Sequence, residues 1–269
     1  MEWFEAVILG LVQGLTEFLP VSSSGHLEIG KVLLGVHATD DLMFTTMVHA
    51  ATVLSTIVVF RKQIFGLLKG FFKFRYNDQT DYLFKIAVSM IPVMVVGLFF
   101  KDQVEALFGS IKVVGFALLL TSALLFFSDL ASKPGKGMVK PASEARNGIS
   151  YWQAFIVGMA QALAVVPGLS RSGTTISTGL ICGVRRDVMA QFSFLMVLIP
   201  ILGESFLEVV GGEFASSSVG ALPLVLGFVS AFLSGLFACK VMIALVKKAR
   251  LSWFAVYCLV AAAAIFIFA

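Results

Sequence analysis

Long apolar segments recur along the whole chain and limit it to a membrane-embedded fold. Six of them approach or exceed the roughly 20 residues that a helix needs to cross a bilayer. They are 42–60, 83–100, 111–127, 192–210, 221–246 and 253–269. Of the 269 residues, 58% are hydrophobic and only 13% are charged, unlike the composition of soluble domains. The sequence therefore predicts an all-α integral membrane protein, with residues 1–269 forming a single membrane domain.

Two further apolar segments, 4–19 and 154–166, are too short to cross the bilayer. The first ends in LPVSSSG and the second in VPGLSRSG, and each is followed by another short apolar piece. This pattern is typical of re-entrant helix pairs, which enter the membrane and return to the same side. We therefore expect six transmembrane helices plus two re-entrant helix pairs.

Charged residues between the apolar segments indicate the side on which each loop lies. The basic loops are 61–75, 128–150, 185–187 and 247–250, and the acidic ones are 1–5, 37–41, 101–110 and 211–220. The positive-inside rule places the basic loops in the cytoplasm and the acidic loops outside. The N- and C-termini are then external. One re-entrant pair enters from outside and the other from the cytoplasm.

The two predicted re-entrant pairs are similar in sequence. Aligned without gaps at an offset of 148, residues 6–36 and 154–184 are identical at ten of 31 positions, where about two or three identities are expected by chance. Because the pairs enter from opposite sides, we expect an inverted-topology repeat, with halves at approximately 1–127 and 150–269 joined by a cytoplasmic loop, 128–149. The broken segments of such repeats meet near the middle of the membrane.

Polar residues gather at the two motifs that would meet there. Each motif is a Ser/Gly turn leading into a short helix, a geometry that directs backbone N–H groups at an anion. Arg171 adds a planar guanidinium that suits phosphate and is costly inside a membrane. For the turns alone, close helix packing is the alternative. The predicted anion site is lined by Ser22, Ser24 and Gly25 from one motif and by Ser170, Ser172 and Gly173 from the other.

Three more polar residues are candidates for chemistry. Glu17 and Gln13 are four residues apart and share a helical face, so they could bind Mg²⁺ or Ca²⁺ through oxygen ligands or form a buried hydrogen-bonded pair. His26 could act as acid, base or nucleophile, or as a structural hydrogen-bonding residue. His49 and Glu204 lie inside predicted spans and could form a second layer of residues that contacts these three.

The two motifs resemble the signatures of a known family. QGLTEFLPVSSSGH, residues 13–26, resembles the (E/Q)xxxE plus PVSSSGH signature of the undecaprenyl-diphosphatase family, the bacitracin-resistance proteins. PGLSRSGTTI, residues 167–176, resembles its second signature, PGxSRSGxTI. The resemblance covers the whole chain in length and segment order. It implies an enzyme of the bacterial cytoplasmic membrane that needs a divalent cation. That enzyme would hydrolyse undecaprenyl diphosphate to undecaprenyl phosphate and inorganic phosphate, recycle the carrier lipid of cell-wall synthesis and confer bacitracin resistance.

The resemblance also implies roles for single residues. Glu17 matches the family's essential carboxylate, Gln13 its glutamine variant, and Arg171 its phosphate-binding arginine. Ser23 and His26 match the candidate nucleophile and its partner: either Ser23 attacks phosphorus, activated by His26, or His26 attacks directly. An amide at residue 13 argues against a metal cage of two carboxylates. The family's polar positions beside the arginine are Ser170, Ser172 and Thr175.

Two other classes of membrane protein compete with this interpretation. Inverted repeats with broken helices are typical of secondary transporters, so a lipid transporter is the alternative on architecture. In the repeat, however, Glu17 aligns with Val165 and His26 with Thr174, so the reactive groups occur in one half only, which favours an enzyme. A lipid phosphatase of the acid-phosphatase type is disfavoured because no histidine follows Arg171.

The expected partners are a polyprenyl diphosphate lipid and the bilayer itself. No basic patch interleaved with aromatic residues points to nucleic acid. Glu17 and His26 belong to the pair that enters from outside, so the active site is expected to open toward the external leaflet. The sequence leaves open whether the chain acts as a monomer or as a homodimer.

Overall fold

Every regular element in the described part of the chain is helical. The computed structural model describes residues 1–36, 41–107, 110–132, 145–203, 219–248 and 250–268. The α-helices are α1 (Trp3–Thr16), α2 (Ser23–Leu34), α3 (Asp41–Val59), α4 (Arg61–Phe71), α5 (Asp78–Phe99), α6 (Lys101–Glu105), α7 (Ile111–Ala131), α8 (Tyr151–Leu163), α9 (Arg171–Ile181), α10 (Arg186–Met196), α11 (Ala221–Lys248) and α12 (Ser252–Phe268). The predicted all-α class is confirmed. Several predicted features lie outside the described residues: most of the loop 128–149, most of the external loop 211–220, and Glu204.

Four helical segments are long and apolar enough to cross a membrane. They are Asp78–Phe99, Ile111–Ala131, Arg186–Gly203 and Ala221–Val246. Met43–Val59 and Arg61–Phe71 together make a fifth candidate, although they meet at an angle of 75°. The last apolar run forms α12, which has 17 residues. The described residues therefore contain four or five spanning candidates, where the sequence predicted six.

Residues 61–75 were predicted as a basic cytoplasmic loop, but most of this segment is the helix α4. Its basic residues alternate with apolar ones, and Ile64 and Leu67 pack against the core while Phe65 is exposed. The helix starts where the chain turns sharply after α3. In an amphipathic helix of this kind, apolar residues recur on one face only. A count of charges along the segment does not reveal that recurrence.

Two short helix pairs, α1–α2 and α8–α9, have nearly identical boundaries. At the offset of 148 residues, Trp3 of α1 corresponds to Tyr151 of α8, and Ser23 of α2 to Arg171 of α9. The C-terminal ends of α8 and α9 come one residue earlier than this correspondence predicts. We refer to α1–α2 as the first helix pair and to α8–α9 as the second helix pair.

The second helix of each pair is capped in the same way. Ser22 Oγ accepts a hydrogen bond from the backbone N–H of Gly25 at 3.2 Å, and Ser170 Oγ accepts one from Gly173 at 3.1 Å. These are N-cap hydrogen bonds, which satisfy one of the unpaired N–H groups at a helix start. The repeated Ser-x-x-Gly spacing in the sequence thus produces the same capping hydrogen bond twice, although the backbone differs, with φ at 72° for Ser22 and −69° for Ser170.

Each helix pair packs against a long helix from the other end of the chain. α1 lies along α11, where a Cβ atom on Gly10 would collide with the carbonyl oxygen of Gly227. α8 lies along α5, where a Cβ atom on Gly158 would collide with the carbonyl group of Ser89. Small residues let helix backbones approach closely within a membrane. The glycines therefore fix where the two pairs sit.

The turns of the two helix pairs are hydrogen-bonded to each other. Ser24 Oγ accepts a hydrogen bond from Gly168 N at 3.3 Å, and Ser172 Oγ donates one to the carbonyl oxygen of Leu19 at 3.2 Å. Ser24 and Ser172 occupy equivalent positions at the offset of 148. This reciprocal contact brings the N-termini of α2 and α9 together.

Candidate active site

Glu17 is the centre of the polar cluster where the two helix pairs meet. It caps the C-terminus of α1, and its Oε2 accepts hydrogen bonds from Ser23 Oγ at 2.7 Å and from Gln13 Nε2 at 2.9 Å. Its side chain is only 9% exposed. The tight turn after α1 returns the chain so that the first residue of α2, Ser23, reaches the carboxylate. The predicted pair of Glu17 and Gln13 is therefore in direct contact, and Ser23, predicted as a partner of His26, joins it.

Arg171 contributes the cationic group of this cluster from the second helix pair. Its Nη2 lies 3.8 Å from Glu17 Oε1, which is longer than a hydrogen bond, so the contact is a loose ion pair. The Arg171 side chain is 30% exposed. It starts α9, where the positive end of the helix dipole adds to its own charge. The combination is suited to an anion that approaches Glu17 and Ser23.

The predicted anion-lining serines have structural partners. Ser22 and Ser170 cap helices, and Ser24 and Ser172 join the two turns, as described above. Gly25 and Gly173 are the residues whose N–H groups those caps bind. A Cβ atom on Gly25 would lie 3.4 Å from Gly168 Cα, and one on Gly173 would lie 3.3 Å from Pro20 Cβ. These residues shape the junction, and the polar side chains of Ser23 and Arg171 meet at Glu17 beside it.

Thr175 supports Arg171 from within α9. Its Oγ1 donates a hydrogen bond to the carbonyl oxygen of Arg171 at 2.8 Å and lies 2.7 Å from Ser193 Oγ on α10. Thr175 is buried. Thr175, predicted as a polar residue beside the arginine, therefore holds the first turn of α9 against α10.

His26 points away from Ser23. Its Nδ1 lies 2.7 Å from the carbonyl oxygen of Ser22, and its Nε2 lies 2.7 Å from the hydroxyl of Tyr257 on α12. Ser23 instead donates its hydrogen bond to Glu17. The structure thus brings His26 into the same helix start as Ser23 but not into a hydrogen-bonded pair with it.

His49 of α3 approaches the same carboxylate oxygen of Glu17 that Ser23 and Gln13 contact. Its Nε2 lies 3.9 Å from Glu17 Oε2, and its Nδ1 donates a hydrogen bond to the carbonyl oxygen of Thr45 at 2.8 Å. His49 was one of two residues expected to form a second layer of residues at the site. It lies within ion-pair distance of the carboxylate, which fits that expectation.

A cavity adjoins Glu17 and Arg171 and extends between α3 and the helix that begins at Arg186. Its polar lining consists of Glu17, Thr52, Thr56, Arg171, Ser172 and Ser193, and its apolar lining of Phe18, Val53, Phe194, Val197, Leu198 and Ile201. Both helices contribute polar and apolar side chains to the cavity, and the charged pair Glu17 and Arg171 belongs to the same lining. The lining therefore offers contacts to a charged group and to apolar groups.

Sequence reasoning missed several residues that complete the site. Tyr257 contacts His26, and Thr121 Oγ1 accepts a hydrogen bond from Ser170 N at 3.1 Å. Thr52 and Thr56 line the cavity. Two threonines four residues apart within one apolar span share a face and were an available signal. Nothing in the sequence around Tyr257 or Thr121 points to its contact.

Glu17 and Gln13 present oxygen atoms of the kind that bind a divalent cation. In the ranges that the structure describes, no three His, Cys, Asp or Glu side chains form a metal-binding group. Gln13 Oε1, however, is buried without a hydrogen-bond partner, while its Nε2 donates to Glu17. One carboxylate and one unpaired amide oxygen are suitable ligands for Mg²⁺ or Ca²⁺. They fit a cation whose remaining ligands come from phosphate oxygens and water.

Comparison with known proteins agrees with the two sequence motifs. Residues 6–264 match the family described as Bacitracin resistance protein BacA. The chain is 53% identical over 262 residues to an undecaprenyl-diphosphatase of Bacteroides fragilis, covering 96% of this chain and 95% of that protein. It is 54% identical over 265 residues to one of Parabacteroides distasonis (97% and 96% covered) and 37% identical over 257 residues to one of Methanococcus vannielii (96% of each). The resemblance inferred from the motifs is confirmed, and the chain belongs to the BacA family.

Proposed function

We propose that this protein hydrolyses undecaprenyl diphosphate to undecaprenyl phosphate and inorganic phosphate. The observation that carries the proposal is the contact of Ser23 Oγ with Glu17 Oε2 at 2.7 Å, beside the Arg171 guanidinium. A hydroxyl paired with a carboxylate and next to a fixed cation is an arrangement for attack on phosphorus. The relatives named undecaprenyl-diphosphatase support the substrate.

In the proposed reaction, Ser23 is the nucleophile and Glu17 the base. Glu17 takes the hydroxyl proton as Ser23 Oγ bonds to the terminal phosphorus. The bond from that phosphorus to the bridging oxygen breaks, and undecaprenyl phosphate leaves with the electron pair. Water then attacks the phosphoserine, releases inorganic phosphate and returns the hydroxyl to Ser23, with Glu17 giving back the proton. The geometry favours Ser23 over His26 because both ring nitrogens of His26 have other partners.

Arg171 and the two helix starts stabilise the charge on the phosphoryl group. Phosphoryl transfer depends mainly on positioning and on charge stabilisation by groups fixed before the reaction. Arg171 is held in place by the α9 cap and by Thr175. A divalent cation held by Glu17 and Gln13 would neutralise phosphate charge when bound. The polyprenyl chain would leave along the apolar side chains of the cavity between α3 and α10.

We further propose six spanning helices and two re-entrant pairs in an inverted repeat, with both termini outside. The matching boundaries of the two helix pairs, their shared Ser-x-x-Gly caps and the reciprocal contacts of Ser24 and Ser172 support it. The distribution of basic and acidic loops supports the orientation. The site then opens to the external leaflet of the bacterial cytoplasmic membrane. Hydrolysis there recycles the carrier lipid of cell-wall synthesis and would confer bacitracin resistance.

The test is phosphate release from undecaprenyl diphosphate by purified protein in detergent, with and without a chelator. Wild type is compared with Glu17→Gln, His26→Ala and Arg171→Ala. We expect cation-dependent release that is lost or strongly reduced in all three variants. No release from well-folded wild type would contradict the proposal. In that case the same residues would form a binding site for a lipid phosphate in transit, as in a transporter.

A further inference from the structure

Tyr257 holds His26 from the last helix of the chain. Its hydroxyl lies 2.7 Å from His26 Nε2, and the two residues are 231 positions apart. The rings are stacked, with centroids 5.5 Å apart and an interplanar angle of 14°. The hydrogen bond and the stacking both act on one imidazole, so they restrict its orientation as well as its partners.

The contact of the second ring nitrogen, Nδ1, defines the tautomer of His26. His26 Nδ1 lies 2.7 Å from the carbonyl oxygen of Ser22, and a carbonyl can only accept, so Nδ1 carries a hydrogen. A neutral imidazole has one N–H group, so Nε2 presents its lone pair. The Tyr257 hydroxyl therefore donates to Nε2. The two hydrogen bonds together define both the tautomer and the rotation of the ring.

Tyr257 itself is held in place by the contacts of α12. Cys258 Sγ donates a hydrogen bond to the carbonyl oxygen of Pro20 at 3.7 Å, which ties α12 to the turn of the first helix pair. On the other side, Ser122 Oγ of α7 donates to the carbonyl oxygen of Ala255 at 2.7 Å. These two contacts flank Tyr257 and set its distance from His26.

We infer that Tyr257 is a positioning residue for the phosphatase reaction and acts through His26. This inference rests on the proposed function. The Ser22 carbonyl defines the tautomer of the imidazole, and Tyr257 holds the ring in one orientation by donating to Nε2 and stacking on it. The ring held in this way keeps its Nδ1–H bonded to the carbonyl oxygen of Ser22, directly before the proposed nucleophile Ser23. It thereby fixes the start of α2 and lowers the reorganisation that the reaction requires. Loss of the Tyr257 hydroxyl should therefore slow the chemical step and leave the binding of the lipid unchanged.

The first experiment compares Tyr257→Phe with wild type in phosphate release. Phenylalanine keeps the stacked ring and removes only the hydroxyl. Tyr82→Phe is the matched control, because the Tyr82 hydroxyl is buried without a hydrogen-bond partner. We expect kcat to fall at least about tenfold in Tyr257→Phe with KM within about twofold, and both constants to stay unchanged in Tyr82→Phe. An unchanged kcat in Tyr257→Phe would overturn the inference.

The second experiment observes His26 without any turnover. The chain has three histidines, so ¹⁵N-histidine spectra in detergent can be assigned with a His26→Gln variant. We expect the Nδ1–H tautomer for His26 in wild type and altered Nε2 and Nδ1 resonances in Tyr257→Phe. Resonances that coincide in the two proteins would also overturn the inference. If wild type released no phosphate, the hydrolase proposal would fail and the catalytic role with it, whereas the spectra would still reveal whether the contact exists.

Discussion

Ser23 Oγ and Glu17 Oε2 share a 2.7 Å hydrogen bond across the turn that joins α1 to α2. The two residues are six positions apart, and the chain reverses direction between them. Glu17 closes one helix and Ser23 opens the next, so the turn between the helices sets the distance between the two side chains. This relationship makes the pair a preformed unit, and its behaviour as a unit can be measured.

Ser23→Ala and Glu17→Gln should each lower kcat for phosphate release at least about 100-fold, the contribution expected of a nucleophile activated by a base. The double variant should be little worse than either single variant, because residues that act together are not additive. The control is Ser177→Ala, which removes a buried hydroxyl that has no hydrogen-bond partner. Full activity in Ser23→Ala would exclude it as the nucleophile.

Arg171→Lys should lose much of the activity although it keeps the positive charge. Lysine lacks the planar fork that contacts two phosphate oxygens at once, so we expect kcat/KM to fall about tenfold or more, and further in Arg171→Ala. Arg185→Lys is the matched control, because Arg185 is exposed and pairs with Asp187 two residues away. Steady-state phosphate release measures both. Wild-type kinetics in Arg171→Lys would show that only charge matters at this position.

Gln13→Glu should bind the divalent cation more tightly. A second carboxylate beside Glu17 adds one negative charge and replaces the unpaired amide oxygen, and charge count raises the affinity of oxygen-ligand sites. The midpoint of activity in a Mg²⁺ titration should shift to lower concentration. Gln161→Glu, at the equivalent position of the second helix pair, is the control and should leave the midpoint in place. A midpoint that moves equally in both variants would argue against a cation at Gln13.

Gly158→Ala should destabilise the fold, because the added methyl group would meet the Ser89 carbonyl across the α8–α5 contact. Overpacking of this kind costs about 1–3 kcal/mol. Gly97→Ala is the control, since nothing lies within 4 Å of a Cβ atom there. Thermal unfolding in detergent should show a lower midpoint for the first variant only. Equal midpoints would mean that the two helices are less closely packed than the structure shows.

Single cysteines should label from opposite sides of the membrane. In a variant without its native cysteines, Lys101→Cys is expected outside and Lys62→Cys in the cytoplasm, according to the charge of their segments. A membrane-impermeant maleimide added to intact cells should therefore label only Lys101→Cys. Lysed cells should label both positions, which controls for reactivity. Labelling of Lys62→Cys in intact cells would contradict the proposed orientation.

The local structure of the site and the meeting of its two motifs could be predicted from the sequence, but the contacts that other helices make with it could be predicted only in part. The Ser/Gly motifs, the helix starts after them and the contact of Gln13 with Glu17 follow from short spacings along the chain. His49 was expected near the site because it is a polar residue inside an apolar span, whereas Tyr257 reaches His26 from the last helix and only packing brings it there. The amphipathic helix α4 was missed because its many basic residues resembled a loop.

The packing of α1 along α11 has a consequence for how the protein is made. The glycine face of α1 is synthesised first, but its partner at Gly227 follows more than 200 residues later. Until α11 enters the bilayer, α1 lacks the long helix against which its glycine face packs. The packing of the first helix pair is therefore completed late in biogenesis. A chain shortened before α11 would carry every motif residue of the active site but would lack the main packing partner of α1.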